Sequence, residues 1–145
     1  MSFILDASVA MLWLTPGTNP ANVAYAGTAL NALKESHALA PSIWPLEIRS
    51  AIAKIEARNI VTEAESHRFI ALLEQLDIMI DPVIAGHPLG DALNLARRYR
   101  LSVYDATYLE LALRTGHPLA TLDADLIKAA TFAGISIFGR SAKIA

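Results

Sequence analysis

The chain has 145 residues, with 14 acidic against 12 basic side chains and a formal net charge of −2. That length suits one domain spanning 1–145, and the weakly negative balance argues against a general nucleic-acid coat, which would be strongly basic. With no cysteine, there is neither a disulfide framework nor a thiolate metal site.

The N-terminus lacks a basic segment followed by an apolar core and a small-residue cleavage site. No apolar run approaches the length of a membrane span, so no membrane partner and a cytoplasmic location are expected. Hydrophobic residues make up 54% of the chain, on the high side for a soluble domain, and a homodimer interface is the expected outlet.

In chain order, Phe3-Ile4-Leu5 reads as a buried strand over 2–6, leading into a helix over 7–14 and a loop at "TPGTNP", 15–20. A helix over 21–36 presents Val23, Leu30 and Leu33 as its apolar face. Leu39-Ala40 is a short strand before Pro41. A helix over 44–59 carries Pro45 in its first turn, where proline is tolerated. Thr62 and Glu65 form a capping-box pattern that opens a helix to Leu76. Ile78-Met79-Ile80 is a strand, 88–99 a helix, and 103–115 another that stops at Gly116. "PLATLD", 118–123, is a strand, 124–133 a helix ended by Gly134, and "ISIF", 135–138, the last strand.

Strands separated by helices pair in parallel through right-handed crossovers. The expected fold is therefore α/β: a small parallel sheet with helices on both faces. Sites in such sheets lie outside the carboxyl ends of the strands. Asp6 and Asp123 are expected at strand ends on that edge. Asp105 and Glu47 fall in the first turns of helices that begin there, and Asp125 stands as a fifth candidate. Any one of these acids alone is more simply a helix cap. Four from distant parts of the chain are harder to explain so. Two carboxylates 4 Å apart repel by about 4 kcal/mol at an effective dielectric of 20, so a cluster takes up protons or holds a cation.

No lysine or arginine adjoins Asp6, Asp105 or Asp123 in sequence, which makes a cation the simpler solution. Carboxylates without cysteine or paired histidine suit Mg²⁺ or Mn²⁺. His37, His67, His87 and His117 show no metal-binding spacing and read as structural or solvent-exposed. A carboxylate-held cation of this kind serves phosphate chemistry, activating water and neutralising developing charge.

"FILDAS" at the start, "PLE" at 45–47, "LSVYDATYLELAL" at 101–113 and "LATLDADL" at 119–126 resemble the PIN-domain ribonucleases, and among them a VapC-type toxin of a VapBC toxin–antitoxin pair. The likeness runs over essentially the whole chain. It implies a compact PIN fold, Mg²⁺ or Mn²⁺, an RNA substrate and a cognate antitoxin protein. It also implies a metal-dependent endoribonuclease acting in a type II toxin–antitoxin system. The family's acids map onto Asp6, Glu47, Asp105 and Asp123, as metal ligands and catalytic groups. Asp125 falls where some relatives carry a further acid, and Ser8 where they carry a small polar residue. Where relatives often have Asn, three residues after the helix glutamate, this chain has Ser50.

Ser8 and Thr121 are expected to orient the ligand carboxylates, and Thr107 to serve as a local cap. Arg97, Arg98, Arg100 and Arg49 are candidates for RNA phosphates, although solvated helix ends are the commoner fate of such runs. Trp13 and Trp44 read as packing residues, and Tyr104 as a candidate for base stacking. The alternative function is a non-catalytic or phosphate-receiving module with an acidic pocket. Against a phosphatase stands Ser8, where a second acid is wanted. Against a receiver domain stands the lack of paired acids at the first strand and of a lysine ending "PLATLD". A nucleotide-binding Rossmann unit lacks its glycine fingerprint.

Overall fold

The computed structural model describes residues 2–82 and 91–140. Its strands are β1 (Phe3–Leu5), β2 (Ala38–Ala40), β3 (Ile78–Ile80) and β4 (Leu119–Ala120). Its helices are α1 (Ala7–Ala10), α2 (Pro20–Ala32), α3 (Trp44–Ala57), α4 (Glu63–Gln75), α5 (Asp91–Tyr99), α6 (Val103–Thr115) and α7 (Ala124–Phe132). The expected α/β class is the observed one: a four-stranded parallel sheet in the order β3-β2-β1-β4.

Local chemistry sets the helix ends. Asn19 caps α2 ahead of Pro20. Thr62 and Glu65 form a full capping box at α4. Ser102 accepts the Asp105 N–H to open α6, and Gly116 closes it with φ of 73°, a conformation costly for a residue with a Cβ. β1 is central, and its side chains are completely buried. Phe3 stacks on Phe138 with ring centroids 4.2 Å apart.

From β1 the chain moves outward to β2 and β3, then returns across β1 to β4. The right-handed crossover rule puts α1–α4 on one face and α5–α7 on the other. Between β1 and β4 the chain changes direction of travel, and the crevice at the carboxyl ends there is where such sheets bind ligands. Asp6 follows β1 at that point.

Four expectations need correction. Residues 135–138 do not form a strand; they make one isolated parallel bridge, Leu119 to Ile137. β4 is only two residues long, so it offers no ladder to extend. The expected strand over 118–123 stops at Ala120, whose carbonyl accepts the Asp6 N–H at 2.9 Å; beyond it the chain turns into the cap of α7, and Thr121 gives its hydroxyl to Asp6. Asp123 is thus the N-cap of α7 and not a strand end. The buried face of α2 is Ala26 and Ala29, followed by Leu33; Val23 is exposed, and α2 ends at Ala32, short of 36. The helix expected over 7–14 is α1 followed by a 3-10 turn, Met11–Trp13. Of the helix expected over 88–99, residues 88–90 lie outside the described residues, as does His87.

Candidate active site

Asp6 leaves the buried end of β1 with its carboxylate 5% exposed. Its Oδ2 accepts two hydrogen bonds of 2.7 Å, from Ser8 Oγ and from the fully buried Thr121 Oγ1. Each hydroxyl also accepts a backbone N–H, Ser8 from Leu122 at 3.2 Å and Thr121 from Asp123 at 3.1 Å. Two relays, N–H to hydroxyl to carboxylate, thus tie the end of β1 to the turn between β4 and α7. Hydrogen bonds chained in this way polarise one another.

Glu47 stands in the first turn of α3 and accepts a 2.5 Å hydrogen bond from the Tyr108 hydroxyl. Tyr108 lies on α6, three residues after Asp105 and therefore on the same helix face. Its ring is fully buried, and its oxygen accepts the Ala7 N–H at 3.4 Å. Burial and the neighbouring carboxylates of Asp6 and Glu47 push the phenol up, so it remains a proton donor in these bonds. Sequence pattern alone does not single out Tyr108. Its signal was the i, i+3 spacing from Asp105, masked because a tyrosine in an apolar helix reads as core. Thr107, by contrast, bonds only to the Tyr104 carbonyl as a local cap.

The four acids act on one another. Burial, then the charges of Asp123, Asp6 and Glu47, push the Asp105 carboxyl up to about 6. Asp6 is raised by burial first, with the Thr121 and Ser8 hydroxyls opposing and Asp123 adding. Glu47 is raised by burial, with the Tyr108 bond opposing and Asp6 adding. Asp123 spends one oxygen, Oδ1, on the Leu126 N–H at 2.9 Å. No lysine or arginine is among the charges acting on Asp6, Glu47 or Asp105. Among the described residues the ion pairs belong to Arg114, with Asp81 at 2.6 Å and Glu110 at 2.8 Å.

In chemistry this donor set fits a hard divalent cation: oxygen donors only, raising one another's proton affinity, with no lysine or arginine acting on them among the described residues. In spacing it is open. Among the described residues no three such side chains are drawn together closely enough to hold an ion.

Asp125 is exposed in the first turn of α7 and is not among the charges acting on the other acids. It lines a separate groove with Arg98, Arg100 and Lys128. Arg97 and Arg49 are exposed on α5 and α3, and Ser50 is exposed beside Arg49. Trp44 is buried, and Trp13 packs on the core with its Nε1–H donated to the Ala26 carbonyl at 2.8 Å. Tyr104, next to Asp105, is 61% exposed. His37 bonds Ser2, at 2.8 Å through Nε2, at the end of β1 opposite to Asp6.

Two results are expected from this geometry. Tyr108→Phe removes the donor that holds Glu47 and the acceptor of the Ala7 N–H. It should destabilise by about 1–2 kcal/mol and lower any metal-dependent activity by roughly 10–100-fold. Denaturant melts and rates on the same variant check both figures. The second concerns pH. Asp105 titrates near 6 in the folded chain against an ordinary value of 3.8, so between these values the folded chain holds a proton that the unfolded chain has lost. Stability of the metal-free protein therefore falls as pH rises through that window, and the shifts of Asp6 and Glu47 act in the same direction. Melting midpoints without metal should be higher at pH 5 than at pH 7; the reverse order would contradict the cluster.

A parallel α/β sheet with Asp6 at its switch point, in the field of other acids, defines the class, and comparison with known proteins supplies the family. The PIN domain matches residues 3–131, and the chain belongs to that family. PIN domains are in general metal-dependent nucleases acting on RNA. The crystal structure of PAE2754 from Pyrobaculum aerophilum is similar in fold, with a TM-score of 0.64 and 23% identity over 89% of this chain and 79% of that one. No curated protein gives a significant sequence match. Among the described residues no helix is long and apolar enough to cross a membrane.

Proposed function

We propose that the chain is an Mg²⁺- or Mn²⁺-dependent endoribonuclease, the VapC-type toxin of a toxin–antitoxin pair, folded as one PIN domain over 1–145. The observation that carries the nuclease reading is Asp6: a buried carboxylate clamped by two hydroxyls and sharing its field with Asp123, Asp105 and Glu47. A bound divalent cation supplies a water of lowered pKa and neutralises charge on the phosphate.

The residues divide that work. Ser8 and Thr121 occupy Asp6 Oδ2, which fixes the carboxylate plane and leaves Oδ1 for a cation. Tyr108 holds Glu47 at Oε1 in the same sense. Asp105, partly buried and set in the combined field of Asp123, Asp6 and Glu47, would be one of the carboxylates that hold the cation. Asp123 is fixed by its capping bond and adds negative charge opposite Asp105. Incubation with a single-stranded RNA tests this: cleavage should vanish in EDTA, return with Mg²⁺ or Mn²⁺, and return poorly with Ca²⁺, whose coordination is longer and looser. Undiminished cleavage in EDTA would defeat it.

The proposed partners are a second copy of the chain and a small antitoxin that covers the acids with a basic side chain. Support for an interface comes from exposed apolar side chains in the middle of the chain: Ile70 and Leu72 on α4, and Met79 and Ile80 on the edge strand β3. Light scattering at micromolar concentration should report a dimer, and a monomer there would remove that claim. A short upstream reading frame for a DNA-binding protein would support the toxin role.

A further inference from the structure

We propose that a groove running from the end of α5 along α7 carries the backbone of the RNA away from the carboxylates; this rests on the reading of the chain as an RNA-cleaving enzyme. The groove holds about 510 Å³ and is lined by Arg98, Tyr99, Arg100, Asp125, Lys128 and Phe132 among others. Arg98, Arg100 and Lys128 are exposed, and among the described residues none of them forms an ion pair.

The placement follows from the fold. α6 begins just after Arg100 and presents Asp105, while α7 begins at its cap Asp123. Its lining thus includes residues that closely precede α6 and closely follow Asp123, the stretches that carry two of the four acids. From Asp123 to Phe132 the helix advances about 13 Å, the length of roughly four stacked nucleotides. Asp125, Lys128 and Phe132 follow one another at i, i+3 and i+7, a single face of α7.

The simpler explanation for these cations is the dipole of α5, which favours positive charge at its C-terminus. It covers Arg97 and Arg98. It does not cover Lys128, which lies past the first turn of α7, a helix that needs no cation there. Nor does it cover Phe132, left 76% exposed at the far end of the groove. Arg100 takes φ of 54° directly after α5, with the Leu101 N–H closing back on the Ala96 carbonyl at 3.0 Å. Glycine is the residue that fits such a helix stop without strain. An arginine kept there holds a guanidinium at the mouth of the groove. Arg98 lies 5.7 Å over the Tyr99 ring, which limits its freedom and leaves its N–H edge for a phosphate. Flat, exposed Phe132 is suited to stacking on an unpaired base, so a single strand and not a duplex is the occupant.

The test is fluorescence anisotropy of a short labelled single-stranded RNA on the Asp6→Asn protein in Mg²⁺, titrated with salt, beside a cleavage assay on the unmodified chain. Arg98→Gln, Arg100→Gln and Lys128→Gln combined should flatten the slope of log K against log salt by about 0.7 per lost contact, roughly 2 in all, and weaken binding by about tenfold or more at low salt. Phe132→Ser should weaken binding about tenfold with the slope unchanged. Asp125→Asn should tighten it. Melting curves of all variants, the Asp6→Asn parent included, confirm folding; every side chain changed in the groove is exposed. A triple variant that binds with the parent's slope and affinity overturns the groove, and if the unmodified chain still cleaves RNA the nuclease reading stands. Groove-dependent binding without cleavage in Mg²⁺ or Mn²⁺ has the opposite meaning: the groove stands and the nuclease reading falls. Absence of RNA binding at any salt defeats both.

Discussion

Asp6→Asn is expected to abolish RNA cleavage, by about three orders of magnitude or more, while leaving the protein folded and at least as stable as before. A thousandfold loss corresponds to about 4 kcal/mol of transition-state stabilisation, the scale expected when a principal ligand of a catalytic cation is neutralised. The fold is spared because asparagine keeps an oxygen for the Ser8 and Thr121 hydroxyls. Stability should rise slightly, because the buried charge disappears together with its repulsion by Asp123. Asp6→Ala makes the contrast: it strands two hydroxyls without their acceptor and should cost about 1–3 kcal/mol for each group left unsatisfied. Thermal melts and cleavage rates on the two variants separate loss of chemistry from loss of fold. An Asn variant that cleaves within tenfold of the unmodified chain would remove Asp6 from the centre.

Mn²⁺ should raise the melting midpoint of the unmodified chain, and Asp105→Asn should remove most of that rise. A ligand at a hundred times its Kd stabilises by about 2.7 kcal/mol. For a chain of this size that is roughly 5–10 °C. Asp105 is the informative position because its carboxyl feels the charges of Asp123, Asp6 and Glu47 together, with no lysine or arginine opposing them among the described residues. Without metal, Asp105→Asn should melt at or above the unmodified chain, since one of four repelling groups is gone. If Mn²⁺ shifts the variant as far as the unmodified chain, Asp105 is not a principal ligand.

The sheet and the neighbourhood of the acids were legible in the sequence because both rest on strong local patterns. "FIL" before Asp6 could be little but a buried strand, and a parallel α/β order carries strand ends and following helix starts to one edge. Side-chain hydroxyls decided what was not legible. Thr121 turns inward to Asp6, β4 is two residues long, and "ISIF" makes a single bridge to it where a strand was expected. Propensity alone favours a strand at Ile135-Ser136-Ile137-Phe138, and tertiary pairing overrode it. The same turn makes Asp123 a cap. On α2 the burial fell on Ala26 and Ala29, since small residues allow close approach where the larger Val23 stays outside. Tyr108 shows the remaining limit: periodicity identifies a buried ring, but not the partner its hydroxyl reaches 61 residues away.

Mass spectrometry of a short RNA after cleavage tests the central claim most directly. Two routes to RNA cleavage leave different ends. Attack by the ribose 2′-hydroxyl gives a 2′,3′-cyclic phosphate and needs acid–base groups near neutral pKa, for which histidine serves best. The described acids gather without a histidine among the groups that shape their titration. Attack by water with a divalent cation gives 5′-phosphate and 3′-hydroxyl ends. Cleavage that requires Mg²⁺ or Mn²⁺ and leaves 5′-phosphate and 3′-hydroxyl ends is the expected result. A cyclic phosphate on the upstream fragment, formed in EDTA, would contradict it.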